Sequence, residues 1–83
     1  MPKTLRIIHR KLGRERVWGL AHSDGVIELD ERLKGYKYLL YLIHEFMHLR
    51  HPEWSERKVR SESTKMARII WKMKYRIVPN EYL

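Results

Sequence analysis

Pro52 constrains this chain more than any other residue. A proline lacks the backbone donor that a helix interior needs, and it pushes the residue before it out of the α region. The apolar run from Tyr36 to Arg50 must therefore end ahead of it, and any later helix must start afresh. The intervening segment, His51 to Trp54, is short, so two helices joined through it must run antiparallel. Ser55 supplies an N-cap for the second helix, which continues to about Arg76 or Ile77, where Pro79 forbids extension. On that helix Val59, Ser63, Met66, Ile70, Met73 and Ile77 recur at spacings of three and four, a stripe expected to face the first helix and a sheet.

The sheet is expected upstream. Residues 4–10 are rich in β-branched side chains and read as a strand, with Leu5 and Ile7 on one face. Residues 16–22 alternate, with Trp18, Leu20 and His22 on one side and Val17, Gly19 and Ala21 on the other, the latter small enough to lie beneath another element. Ser23, Asp24 and Gly25 signal a tight turn. Residues 26–30 then form the return strand, with Ile27 and Leu29 inward and Glu28 and Asp30 outward. The expected fold is α+β: a small antiparallel sheet of about three strands (4–10, 16–22, 26–30) followed by an antiparallel helix pair (36–50, 55–76).

With 83 residues this is one small domain, near the size at which a single core barely suffices. There is no cysteine, which excludes disulfide staples and thiolate metal sites. The N-terminal residues lack a long apolar segment and no run is long enough to span a membrane, so a cytoplasmic location is expected.

Within the first helix lies His44-Glu45-Phe46-Met47-His48. Residues four apart on a helix are neighbours on one face, so both imidazoles can aim at a single point. Two neutral imidazoles so spaced make half of a tetrahedral zinc site, and Glu45 can reach the metal's water without ligating the ion. A third ligand must come from elsewhere. Glu56 stands about as far after the turn as His48 stands before it, and it extends the apolar stripe by one step, where a carboxylate is costly unless something positive meets it. Glu62 is the second choice, pointing to the flank of the stripe. His51 shares the face of His44 and His48 but stands about 10 Å along the axis from His44 on a straight helix. His9 and His22 carry no spacing signal.

These residues resemble a minimal zincin. A strand reading IxL, an apolar helix bearing HEFMH, a short loop and a second helix with an acidic ligand resemble the gluzincin layout, over residues 26–76. The segment is also similar to short phage and prophage metallopeptidase-like proteins, through Glu56 to Val59 and the Ile69 to Trp71 segment, and distantly to SprT-like and ImmA-like peptidases. His51 and Trp54 stand where the metzincin pattern sets a glycine and a histidine, which excludes that branch, and no histidine follows position 51 to serve as an SprT-type third ligand. The resemblance implies a single zincin-like domain over 1–83 that binds Zn2+ through His44, His48 and Glu56 and hydrolyses peptide bonds in a protein substrate, with Glu45 as general base. The strand at 26–30 offers an edge for an extended substrate. Tyr36, Tyr75, Arg76 and His22 are the candidates for stabilising the oxyanion.

Charge opens a second line. Eighteen Lys and Arg face ten Asp and Glu, a net charge of +8 that favours polyanions. Arg57, Lys58, Lys65, Arg68, Lys72 and Arg76 fall within an arc of roughly 100° opposite the apolar stripe, a face suited to nucleic-acid phosphates. The rivals to a peptidase are thus a basic nucleic-acid-binding module and an inactive zincin-like interaction protein.

Overall fold

The computed structural model describes residues 5–78. Strands β1 (Arg6–Arg10), β2 (Gly19–Ala21) and β3 (Val26–Asp30) precede helices α1 (Gly35–Arg50) and α2 (Glu56–Lys72), with a 3-10 turn at Gly13–Glu15 between β1 and β2. The expected strand start at Thr4 and the stop at Pro79 lie outside the described residues. Among those residues no helix is long and apolar enough to cross a membrane.

The α+β architecture holds, but the sheet is mixed rather than antiparallel throughout. Its order is β1-β3-β2, with β3 in the middle. β1 runs parallel to β3 in the register Ile7 to Ile27 and His9 to Leu29, whereas β2 pairs antiparallel with Gly19 opposite Leu29 and Ala21 opposite Ile27. The cause lies at Asp30. Its carboxylate accepts the Leu12 backbone N–H at 3.0 Å, and its own backbone N–H donates to the Trp18 carbonyl at 2.9 Å. The chain leaving β1 is thereby drawn across the end of β3, with Leu12 fully buried, and returns on the far side as β2. Asp30 itself, expected to face outward, is fully buried because Arg32 closes over it with Nε at 2.8 Å and Nη2 at 2.9 Å. The turn into β3 is as the sequence indicates: Gly25 has φ +93° and its N–H donates to the His22 carbonyl at 2.9 Å.

Ile27 and Leu29 form the core with Leu33, against Tyr38, Tyr41, Leu42, Phe46 and Leu49 of α1. Ile7 lies on the same sheet face as Ile27, as β registers require, yet it is 41% exposed and Leu5 is 45% exposed. They sit on an edge strand that the helices barely overhang, so the expected inner face of β1 is only partly covered. The opposite face is polar, with Arg10 Nε donating to Glu28 at 2.8 Å.

Ser55 caps α2 by accepting the Lys58 N–H at 3.1 Å. The buried stripe of α2 is Val59, Ser63 and Ala67 rather than the longer expected series, and Met66, Met73 and Ile77 are exposed. Strict spacing of four places the small Ala67 against α1, which lets the helices approach, and leaves Met66 on the flank. α2 also ends at Lys72, short of Arg76. Lys74 adopts φ +68°, its N–H donates to the Trp71 carbonyl at 2.9 Å, and the Tyr75 N–H donates to the Ile70 carbonyl at 3.3 Å. This is a Schellman stop built without glycine, so the composition gave no sign of it.

Candidate metal centre

α1 and α2 meet at the turn so that His44, His48 and Glu56 converge. Each offers one ligand atom, and these atoms lie within 4.8 Å of one another. The Glu56 carboxylate bridges the two rings, with Oε1 2.8 Å from His44 Nε2 and Oε2 2.8 Å from His48 Nε2. The ring centroids of the two histidines are 4.9 Å apart. A tetrahedral ion with ligand bonds of about 2.0–2.1 Å has ligand atoms about 3.3 Å apart, so these three donors need only small shifts to share one ion. The group can hold a metal ion, and its donors are two nitrogens and an oxygen.

Burial favours that use. Desolvation lowers the His44 pKa from its ordinary value, against the pull of Glu56, so the neutral, ligand-competent imidazole is favoured. Glu45 is buried, and desolvation, reinforced by the nearby Glu56 charge, raises its carboxyl to about 7. What makes room for Glu45 is Gly19. A Cβ built on Gly19 would stand 2.8 Å from Glu45 Cγ and 3.0 Å from its Oε2, closer than atoms tolerate. The small side of β2 noticed in the sequence is thus the floor beneath the Glu45 carboxyl.

A cleft of about 770 Å³ opens over these groups, with β2 and the preceding Val17 and Trp18 on one wall, Tyr41 on α1, and Arg60 and Thr64 on α2. Tyr41 stands between Trp18 and His44, with centroid separations of 6.4 and 6.2 Å. Gly19, Tyr41, Arg60 and Thr64 carried no motif. Arg60 and Thr64 were legible in principle, since they follow Glu56 by four and eight residues along the same helix edge.

Other candidates fall elsewhere. His51 stacks on Trp54 with centroids 3.8 Å apart, and Glu62 reaches Lys65 at 3.3 Å, so neither joins the triad. His22 pairs with Glu28 at 3.1 Å on the outer face of the sheet. Tyr36 packs edge-on against Trp71 at 5.8 Å, and Tyr75 and Arg76 line a separate apolar groove with that tryptophan, so none of the four residues considered for the oxyanion lines the cleft. β3, considered as the substrate edge, is hydrogen-bonded on both sides; the strand with a free edge beside the cleft is β2.

Comparison with protein-family models, with curated proteins and with solved structures finds no match to this chain.

Proposed function

We propose that this chain is a zinc-dependent peptidase that hydrolyses peptide bonds in a protein substrate. The observation that carries the reading is the convergence of His44, His48 and Glu56 beside a buried carboxyl, Glu45, at the floor of an open cleft. Two imidazoles and one carboxylate suit zinc, whereas ions that demand all-oxygen shells are poorly served. The same donors would also suit ferrous iron. Glu45 favours hydrolysis, because a buried carboxyl that stands beside the three ligand residues without being one of them is placed to carry a proton rather than to hold the ion.

Bound zinc supplies Lewis acidity, polarising a carbonyl and making water a nucleophile near neutral pH. Glu45 accepts the proton from the attacking water and delivers it to the departing amine. Gly19 fixes where that carboxyl sits. The unpaired edge of β2 aligns an extended substrate by backbone hydrogen bonding, and Trp18 and Tyr41 provide an apolar wall for its side chains. The cleft is open to solvent, which suits an unfolded chain without a demanding side-chain preference.

Elemental analysis of protein purified without a metal-affinity tag should find about one zinc per chain, and Glu56→Ala should lose most of it. Glu45→Gln should keep the zinc while hydrolysis of an unfolded protein such as casein disappears. Hydrolysis at the unaltered rate by Glu45→Gln removes Glu45 as the base, and a chain that takes up no zinc ends the proposal.

A further inference from the structure

The positive charge of this molecule is not spread evenly. Its described acids are largely engaged: Glu15 and Glu28 with Arg10, Asp30 with Arg32, Glu56 with the two histidines. On α2 the cations Arg57, Lys65, Arg68 and Lys72, with Ser61 between the first two, succeed one another at steps of four, four, three and four residues. Each step advances about 4.5–6 Å, so the row extends about 22 Å along a single exposed edge. Lys58 flanks it, held over the Trp54 ring at 4.8 Å. Among the described residues no ion pair engages Arg57, Arg68 or Lys72, and Lys65 alone of the row meets an acid, the exposed Glu62 at 3.3 Å. Arg76, which the longer helix would have added, instead lies over Trp71 at 3.4 Å and leaves the row.

We infer that this edge of α2 is a docking surface for the phosphate backbone of double-stranded nucleic acid. The row lies opposite the buried residues Val59, Ser63 and Ala67, so it is free to meet a partner without disturbing the core. Its charges are regularly spaced and aligned on a rigid element, as a regular array of phosphates requires, and the Ser61 hydroxyl is a further phosphate donor. No aromatic residue lies within the arc to stack on bases, which disfavours a single strand. No apolar residue lies between the cations to enter a bilayer; Met66, Ile69 and Met73 are exposed to one side of the row. The inference is independent of the metal centre.

The test is a salt titration of binding to a labelled 20-base-pair DNA duplex of mixed sequence. If the four cations neutralise four phosphates, log K falls against log salt with a slope of about −3.6, and affinity drops about 150-fold between 50 and 200 mM salt. Replacing Lys65, Arg68 and Lys72 together by Gln should flatten the slope by about 2.7. Replacing Arg6, Arg14 and Lys34, three exposed cations elsewhere, removes the same net charge and should change it by less than about 1. Circular dichroism of both variants confirms that α2 is intact. No duplex binding, equal flattening by the two triple variants, or tighter binding to vesicles of anionic phospholipid or to single-stranded DNA than to duplex, would each overturn the assignment.

Discussion

Gly19→Ala is the sharpest test of how the Glu45 carboxyl is held. The added Cβ would stand 2.8 Å from Glu45 Cγ, 3.0 Å from Oε2 and 3.2 Å from Cδ. Ordinary carbon contacts are about 3.5–4.0 Å, so something must move by about 0.7–1.2 Å. β2 cannot retreat easily, being paired with β3 at Gly19 to Leu29 and anchored by the Trp18 carbonyl on Asp30. Overpacking of this kind costs about 1–3 kcal/mol, or roughly 5–20 °C in Tm for a domain of this size. All three crowded atoms lie beyond Cβ of residue 45, so Glu45→Ala removes every one of them. In that background Gly19→Ala should be neutral or stabilising by about 0.5–1 kcal/mol, through reduced freedom of the unfolded chain. Urea denaturation of the four proteins measures the coupling directly. An equal cost of Gly19→Ala with and without the Glu45 side chain would refute the steric account and detach β2 from the placement of the carboxyl.

Three further outcomes follow from the fold. Lys74 holds a left-handed conformation that costs a non-glycine residue about 1–2 kcal/mol, against which the greater freedom of glycine in the unfolded chain costs about 0.5–1 kcal/mol. Lys74→Gly should therefore gain roughly 0.5–1 kcal/mol and raise Tm by roughly 2–8 °C in a thermal melt. Ser63 is fully buried and its hydroxyl has no hydrogen-bond partner among the described residues, so Ser63→Ala should be stabilising by about 1 kcal/mol in denaturant titration rather than costly. The Asp30 carboxyl is held well below the usual carboxylate range, first by the Arg32 side chain and then by the Arg32 and Leu12 backbone N–H groups, against the opposing effect of burial. A depressed folded pKa contributes stability that is complete above the unfolded value of about 3.8 and is lost as pH falls toward the folded one. Asp30→Asn should therefore destabilise the protein at neutral pH and flatten the loss of stability below pH 4, as read from Tm against pH.

The helix pair and its turn were legible because Pro52, Ser55 and the His44 to His48 spacing are local signals with one physical meaning each. Glu56 was reachable by counting across the hairpin, since an antiparallel pair fixes which residues stand side by side. β1's parallel pairing was not legible, because it depends on Asp30 catching the Leu12 N–H across 18 residues, and an aspartate at a strand end reads as solvated in any sequence. Nor was the end of α2, where a lysine takes a position usually given to glycine. Gly19 is the instructive case: its size was visible, but what it makes room for required seeing α1 lie over β2. The oxyanion candidates failed for a similar reason, since Tyr36, Tyr75 and Arg76 share one end of the helix pair and the cleft is at the other.

α2 shows how so short a chain can carry two proposed activities without one compromising the other. Viewed down its axis, Val59, Ser63 and Ala67 point to the core, Glu56, Arg60 and Thr64 to the cleft, and Arg57, Lys65, Arg68 and Lys72 to solvent. The cleft edge and the basic row adjoin, with Thr64 and Arg57 about 20° apart on the wheel, so a nucleic acid on the row would run past the mouth of the cleft. A protein already bound to the same duplex would then be presented to β2 at high local concentration, offsetting the weak selectivity expected of so open a cleft. Because the row lies on its own face, neutralising it should leave zinc content and thermal stability unchanged while abolishing any acceleration of proteolysis by duplex DNA. Loss of zinc on neutralising the row would show instead that the two faces are not separable, and the division of labour along α2 would fall.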